Sequence, residues 1–435
     1  MRISRALLCA LLILASNVHG ATLAITHVTV INPADGEPRR DVTVVIRDGR
    51  ISEIGNTTPS DAKVVDGRGK FLIPGLWDMH VHLSYTTASA LPLLIANGVT
   101  TVRDLGSKLA EIDDWRARIG AGVLVGPRIL RVGPILNGKS FNQYQMVAGN
   151  PDETRGVARA LKEVGVDFLK IHRRLPRDSY FALIDEAKRL GIDVVGHIPM
   201  TVSPEEASDA GQVTIEHTET LFEGTFAAAL KDKDKLPDAI RKFRETDADK
   251  LFARFVKNHT VVDPTLAAWA PVTDPAAKND PRLRYVAVSA KKIAPPPMSA
   301  DELQGMRDTV TEFREVVRQM HKDGVTLVTG TDIAGTRIPG FTLHAELANL
   351  VECGLTPLEG LRAATLTPAI VTHRANDLGT IETGKIADLV LLDANPLDDI
   401  RNTEKIRAVI VGGRLFLRAD LDALLRQAEE LAARN

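Results

Sequence analysis

The stretch GLWDMHVHL, Gly75 to Leu83, ends an apolar run with two histidines, His80 and His82. Its alternation has the period of a strand, not of a helix. On an extended strand, residues two apart leave the same side about 7 Å from each other. Both imidazoles can therefore reach one cation. A His-x-His pair alone says little, because most such pairs are incidental. Its meaning rests on what other segments bring to the same place.

Seven further segments share its texture: GVTTVRDL (98–105), PRILRVG (127–133), VDFLKIH (166–172), DVVGHI (193–198), VTIEHT (213–218), TVVDPTL (260–266) and VTLVTGTD (325–332). Helical stretches such as PDETRGVARALKEVG and RDSYFALIDEAKRLG separate most of them. Eight strand–helix units over residues 72–374 predict an α/β fold, a (β/α)8 TIM barrel. The segment from Phe222 to Met320 contains KDKDK and APPP and exceeds a minimal unit. It is read as helical insertions that form a lid over the barrel top.

The two ends differ. LAITHVTVI, DVTVVIRDGRISEIG and AKVVDGRGKFLIPG alternate apolar and polar residues around DG and RG turns, and ADLVLLDA with IRAVIVGGRLFLR does the same near the other end. Residues 21–71 and 375–418 are therefore expected to form one small β-sandwich domain. Residues 419–435 are expected to form a terminal amphipathic helix.

Residues 1–20 begin with two arginines and continue into the apolar run Ala6–Ala15, too short to span a bilayer. They read as a signal peptide, so export to the periplasm or the medium is expected. Cys9 leaves with it, and Cys353 remains alone, so no internal disulfide can form. The formal charge is −2, with 25% charged residues and no long basic block. That excludes a nucleic-acid binder. No second apolar run offers a stable membrane anchor. The partner is a small molecule or dipeptide, and a homo-oligomer is left open.

The polar residues at the strand ends carry the chemistry. His80 and His82 close the first strand, Lys170 the fourth, His197 the fifth, His217 the sixth and Asp332 the eighth. Barrel enzymes place their chemistry at these C-terminal strand ends. Burying such groups is costly unless they ligate something or one another. Imidazole and carboxylate donors without thiolate suit zinc, and also manganese, iron, cobalt or nickel. Lys170 is anomalous, because an ammonium ion has no lone pair to give. A neutral amine can add carbon dioxide to form a carbamate whose two oxygens bridge two metals. A plain Lys170–carboxylate pair is the alternative.

This set resembles the binuclear metal-dependent amidohydrolase superfamily, as does the tail LGTIETGKIADLVLLDANPLDDI. The texture is similar to its exported prolidase-like branch, whose members cleave dipeptides or N-acyl amino acids. The resemblance implies that His80, His82 and Asp332 hold the more buried of two divalent ions, that His197 and His217 hold the other, and that carboxylated Lys170 bridges them. Zinc is the expected metal.

Two cations about 3.5–4 Å apart lower the pKa of a shared water, and the hydroxide attacks the acyl carbon. Asp332 is expected to be the catalytic proton shuttle, delivering a proton to the departing amine. The expected function is amide hydrolysis by a dipeptidase or carboxypeptidase-like enzyme. A lactonase, ester hydrolase or ochratoxin-type N-acyl-Phe amidase could use the same site, and a non-catalytic binding barrel is the alternative of another class. Substrate-binding candidates are His172, Tyr144, Lys139, Arg337 and His344, with Arg173 and Arg174 at the rim. His27, His259, His321 and His373 fall outside the strand-end set.

One motif points elsewhere. GPILNGKS, Gly133 to Ser140, fits G-x-x-x-x-G-K-[ST]. A phosphate loop needs a sustained helix after it, and FNQYQMVAG is short, polar and stopped by Gly149-Asn150-Pro151. It is read as the third strand–helix loop of the barrel, with tight turns at Gly133 and Gly138.

Overall fold

The computed structural model describes residues 22–230, 235–292 and 298–434. The expected signal peptide and Cys9 lie outside the described residues, as do APPP and most of KDKDK.

Eight parallel strands form the central barrel: Leu76–Val81, Val99–Asp104, Arg128–Arg131, Phe168–Ile171, Asp193–Gly196, Thr214–Glu216, Val261–Asp263 and Thr326–Leu327. Strands one to three pair in order, and strands four to eight pair in order. The gap between strands three and four is bridged by Asp167 N–H donating to Arg131 O at 2.8 Å and by Arg131 N–H donating to Asp167 Oδ2 at 2.9 Å. The last seam closes where Met79 N–H donates to Thr329 O and Asp332 N–H to His80 O, both at 2.8 Å. Closure abolishes free edges, and the inner cluster and the outer helices cover the two faces of the strands.

One cluster inside the molecule takes a residue from most of these strands: Trp77, Met79, Leu130, Phe168, Val195 and Val261. A larger one joins the outer helices to strands four to eight, with Phe252, Phe255 and Phe313 fully or almost fully buried. Helix starts follow local chemistry. Asn150 accepts from Glu153 N–H ahead of Pro151 in the helix Pro151–Glu163, and Ser203 with Glu206 forms a capping box ahead of Pro204–Ala210.

The two chain ends meet in one continuous sheet of eight strands. Leu23–Val30 lies between Arg39–Arg47 on one side and Lys63–Asp66 and Phe71–Pro74 on the other. Phe71–Pro74 in turn pairs with Leu389–Leu392 from the far end. N-terminal Ile25, Val44 and Ile46 share one apolar cluster with C-terminal Leu389, Leu391 and Ile410. The hairpin turns show why the DG and GG pairs are there. Asp48 and Gly49 both have positive φ, as do Gly412 and Gly413, the requirement of a two-residue turn matched to strand twist. A Cβ on Gly49 would lie 2.8 Å from Gly412 O, so the two turns touch. The helix Arg418–Arg434 packs Leu421 and Leu424 against the apolar layer between sheet and barrel.

Two details depart from the sequence reading. The third strand–helix connection contains two short strands, Ile135–Asn137 and Gln145–Val147, that pair in parallel; three-residue strands are too short to show a period. No helix begins between Gly133 and Pro151, so a phosphate loop is absent. Gly133 takes a positive φ of 74°. Gly138 serves close approach instead, since a Cβ there would sit 2.3 Å from Arg174 O.

Candidate metal centre

Side chains from five barrel strands converge at the C-terminal mouth. His80 Nε2 lies 3.3 Å from His82 Nε2. Asp332 Oδ1 lies 3.4 Å from the first nitrogen and 3.2 Å from the second. The His217 ring packs against His80 with centroids 4.6 Å apart, and against His197 at 4.7 Å. Lys170 comes from strand four, 1% exposed, with no hydrogen-bond partner for Nζ.

The local backbone explains the convergence. Asp332 and His217 both have positive φ, 49° and 68°. Such conformations cost about 1–3 kcal/mol each and persist where the surroundings over-determine them. Gly196 opens room for Lys170: it has φ 129°, and a Cβ there would lie 3.0 Å from Lys170 Cδ and 2.3 Å from Ile171 O. His82 Nδ1 faces Gly106 O at 3.2 Å. His217 Nδ1 faces the Thr265 hydroxyl at 2.8 Å. Each ring is thus held from its far side, with Nε2 of His82 aimed at the cluster.

Electrostatics keep His80, His197, His217 and Asp332 in donor form and ease the loss of the Lys170 proton. Burial drives the His80 and His197 imidazoles well below their usual range, and the neighbouring Lys170 and His217 add to it. Burial likewise brings His217 down to about 4 and Lys170 down to about 8. Burial alone would raise the Asp332 carboxyl. The Arg337 guanidinium, the His82 hydrogen bond and the other histidines outweigh it and hold Asp332 well below the usual carboxylate range. The result is neutral imidazoles and an ionised carboxylate turned toward one another.

This donor set suits a metal on its own dimensions. Donors about 2.0–2.1 Å from a tetrahedrally held zinc ion are about 3.3–3.4 Å apart. The His80, His82 and Asp332 atoms form a triangle of 3.2–3.4 Å. Among the described residues, two groups of acidic and histidine side chains close enough to hold an ion share His80: one with His217 and Asp332, one with Glu216 and Asp263.

A family model described as "Amidohydrolase family" matches residues 71–416. The chain belongs to the amidohydrolase family. An ochratoxinase from Aspergillus niger is 26% identical over 468 residues, covering 91% of this chain and 87% of that protein. A candidate prolidase structure from Bifidobacterium longum is 28% identical with a TM-score of 0.70, covering 94% and 98% of the two chains. A bottromycin amidohydrolase structure shares the fold at a TM-score of 0.78 and 24% identity, covering 95% and 91%. This amidohydrolase is therefore a hydrolytic enzyme acting on C–N amide bonds, in a family that depends on metal, and the non-catalytic barrel is set aside.

The substrate-binding expectations fare unevenly on geometry. His172 packs against His197 with ring centroids 4.4 Å apart, and its Nδ1 is 3.4 Å from Asn137 Nδ2. Burial, with Lys170 and Arg173 nearby, pushes its imidazole down to about 3. Tyr144 packs on Tyr85 at 4.3 Å, and Tyr85 packs on His82 at 5.6 Å. Lys139 is exposed on the third loop. Arg337 is a correction: Nη1 donates to Asp332 O at 2.9 Å and pairs with Asp332 Oδ2 at 3.0 Å, while Nε donates to Ala268 O. It buttresses Asp332 through Nη1, with Nε tied to the scaffold. His344 is a second correction. It is buried, with Nδ1 on the Thr403 hydroxyl at 2.9 Å and Nε2 on Asn97 O at 3.1 Å, so both nitrogens are spent on the scaffold. Arg173 pairs with Glu223 at 2.7 Å, and Arg174 lies over the Phe141 ring.

Sequence reasoning missed the charged layer beneath the amidohydrolase site. Arg103, Glu216 and Asp263 are all fully buried, and none was assigned a role. The available signal was a charge inside an apolar strand, as in GVTTVRDL and TVVDPTL, which demands a partner without saying which.

Proposed function

We propose that this amidohydrolase cleaves the amide bond of a dipeptide or an N-acyl amino acid, using two divalent metal ions, zinc, in an exported protein. His80, His82 and Asp332 would hold one ion, His197 and His217 the other, and Lys170, carboxylated, would bridge them. The observation that carries this is the meeting of six strand-end side chains, with Lys170 buried and partnerless among them. A buried amine brought down to about 8 loses its proton far more readily than a free lysine, and the neutral form is the one that adds carbon dioxide. When bound, the metal pair supplies Lewis acidity that activates water and polarises the acyl carbonyl.

The remaining work belongs to the chain. Asp332, held ionised by Arg337, accepts a proton from the attacking water at its carboxylate. It then gives that proton to the departing nitrogen, the step an amide needs because its anion leaves poorly. Arg337 aims Oδ2 and so fixes the direction in which that carboxylate works. A substrate lying across the mouth meets the Tyr85–Tyr144 pair on the His82 side and His172 on the His197 side. The expected export rests on the residue pattern of positions 1–20, and no helix among the described residues is long and apolar enough to cross a membrane.

The test is a panel of Xaa-Pro, Xaa-Lys/Arg and N-acyl-Phe substrates with zinc-loaded protein, alongside lactones and simple esters. Turnover of one amide class, abolished in Asp332→Asn, is expected. Lactone turnover without amide turnover would replace the reading.

A further inference from the structure

The geometry points to Glu216, clamped by Arg103, as the positioning residue that orients the His80 ring from below. The inference rests on the reading of His80 as a metal ligand, and it concerns the layer behind that ring.

The two oxygens of Glu216 are in different situations. Oε1 accepts from Arg103 Nη2 at 2.9 Å and from the Thr214 hydroxyl. Oε2 is buried and has no hydrogen-bond partner; what it faces is His80 Nδ1 at 3.4 Å. Asp263 Oδ2 is the next acidic atom to that nitrogen, at 3.7 Å. The contact is longer than a full hydrogen bond, yet a small rotation of the ring would close it. On the opposite side of the same ring, Nε2 faces His82 and Asp332.

A neutral imidazole carries one ring proton. An acceptor at Nδ1 places the proton there and leaves the Nε2 lone pair toward the cluster, the arrangement that outer partners of metal-bound histidines supply. Arg103 makes the acceptor stable in so dry a place. Its Nη1 donates to the Thr214 hydroxyl at 3.0 Å. Its Nε donates to Met79 O at 2.8 Å, the carbonyl just ahead of His80. One guanidinium therefore fixes both the carboxylate and the backbone that carries the ring.

A buried Arg–carboxylate pair is a poor way to gain stability, since packed apolar side chains of similar volume do as well or better. The pair must be explained by what it faces. Strand two supplies Arg103, strand six supplies Glu216, and they meet under strand one.

The test uses the full chain, stripped of metal and titrated with zinc against a chelating indicator. Wild type is expected to take two ions per chain. Glu216→Gln is expected to weaken the tighter site 10- to 100-fold, to change the visible spectrum of the cobalt-loaded protein, and to lower kcat more than it raises KM. Arg103→Lys keeps a positive charge without the fork and is expected to act in the same direction; it serves where Glu216→Gln does not fold. A merely structural pair predicts a lower melting temperature of the metal-free protein with wild-type zinc affinity in the folded variants. That result overturns the inference alone. A wild-type chain that takes up no zinc overturns the reading of the centre instead.

Discussion

Asp78 and Thr331 are bonded twice across the seam that closes the barrel. Thr331 N–H donates to Asp78 Oδ1 at 3.1 Å and the Thr331 hydroxyl to Asp78 Oδ2 at 2.6 Å. Asp78 Oδ1 also accepts from His80 N–H at 3.2 Å. Asp332 directly follows Thr331 and His80 lies two residues beyond Asp78, so one buried carboxyl sets the distance between two proposed ligands. Asp78→Ala takes an acceptor from the Thr331 hydroxyl, the Thr331 N–H and the His80 N–H and is expected to cost about 3 kcal/mol of stability, against about 1 kcal/mol for Thr331→Val. Urea unfolding measures the order, and zinc content of the folded fraction is expected to fall most in Asp78→Ala. Equal losses in the two variants would mean that the seam is held elsewhere.

Lys170→Ala removes the proposed bridge. Zinc content and amide turnover are expected to fall together, with partial recovery of both in a short carboxylic acid that refills the gap. Retention of two zinc ions and the full rate would remove Lys170 from the site.

Gly196 and Gly191 separate backbone strain from steric clash. Both have positive φ, but a Cβ on Gly191 meets nothing within 4 Å, while one on Gly196 meets Ile171 O at 2.3 Å. Gly191→Ala is expected to cost about 1 kcal/mol from conformation alone. Gly196→Ala is expected to cost several-fold more and to displace Lys170, lowering zinc uptake. Chemical denaturation of both variants decides it, and similar losses would show that the crowding at Gly196 relaxes freely.

His344 predicts acid sensitivity. Burial brings its imidazole down from 6.5 to about 4, partly offset by its hydrogen bond to Asn97 O. Between pH 6.5 and 4 the unfolded chain therefore binds a proton that the native state does not, so stability falls as the pH falls through that window. The ceiling is about 3 kcal/mol at roughly 1.4 kcal/mol per pKa unit. His344→Gln is expected to be less stable at neutral pH but to show a shallower acid slope in thermal unfolding from pH 7 to 4. An unchanged slope would show that His344 does not carry it.

The amino-acid sequence determined the barrel, the joining of the two chain ends in one β domain, read as a sandwich and found as a single continuous sheet, and the strand-end position of the six polar residues. Each of these is written locally. A period of two with a polar residue at the strand end places His80, His82, Lys170, His197, His217 and Asp332 at one mouth once the strands are ordered, and DG or GG pairs mark the hairpins. Tertiary structure alone decided which far-off groups meet. Arg103 finds Glu216 across 113 positions and Asp78 finds Thr331 across 253. Arg337 and His344 were legible as polar groups near the last strand, but their partners, Asp332 with Ala268, and Thr403 with Asn97, come from other turns of the chain. A buried polar group announces that it must be paired. Closure of the barrel brings the partner within reach, and no local pattern records that distance.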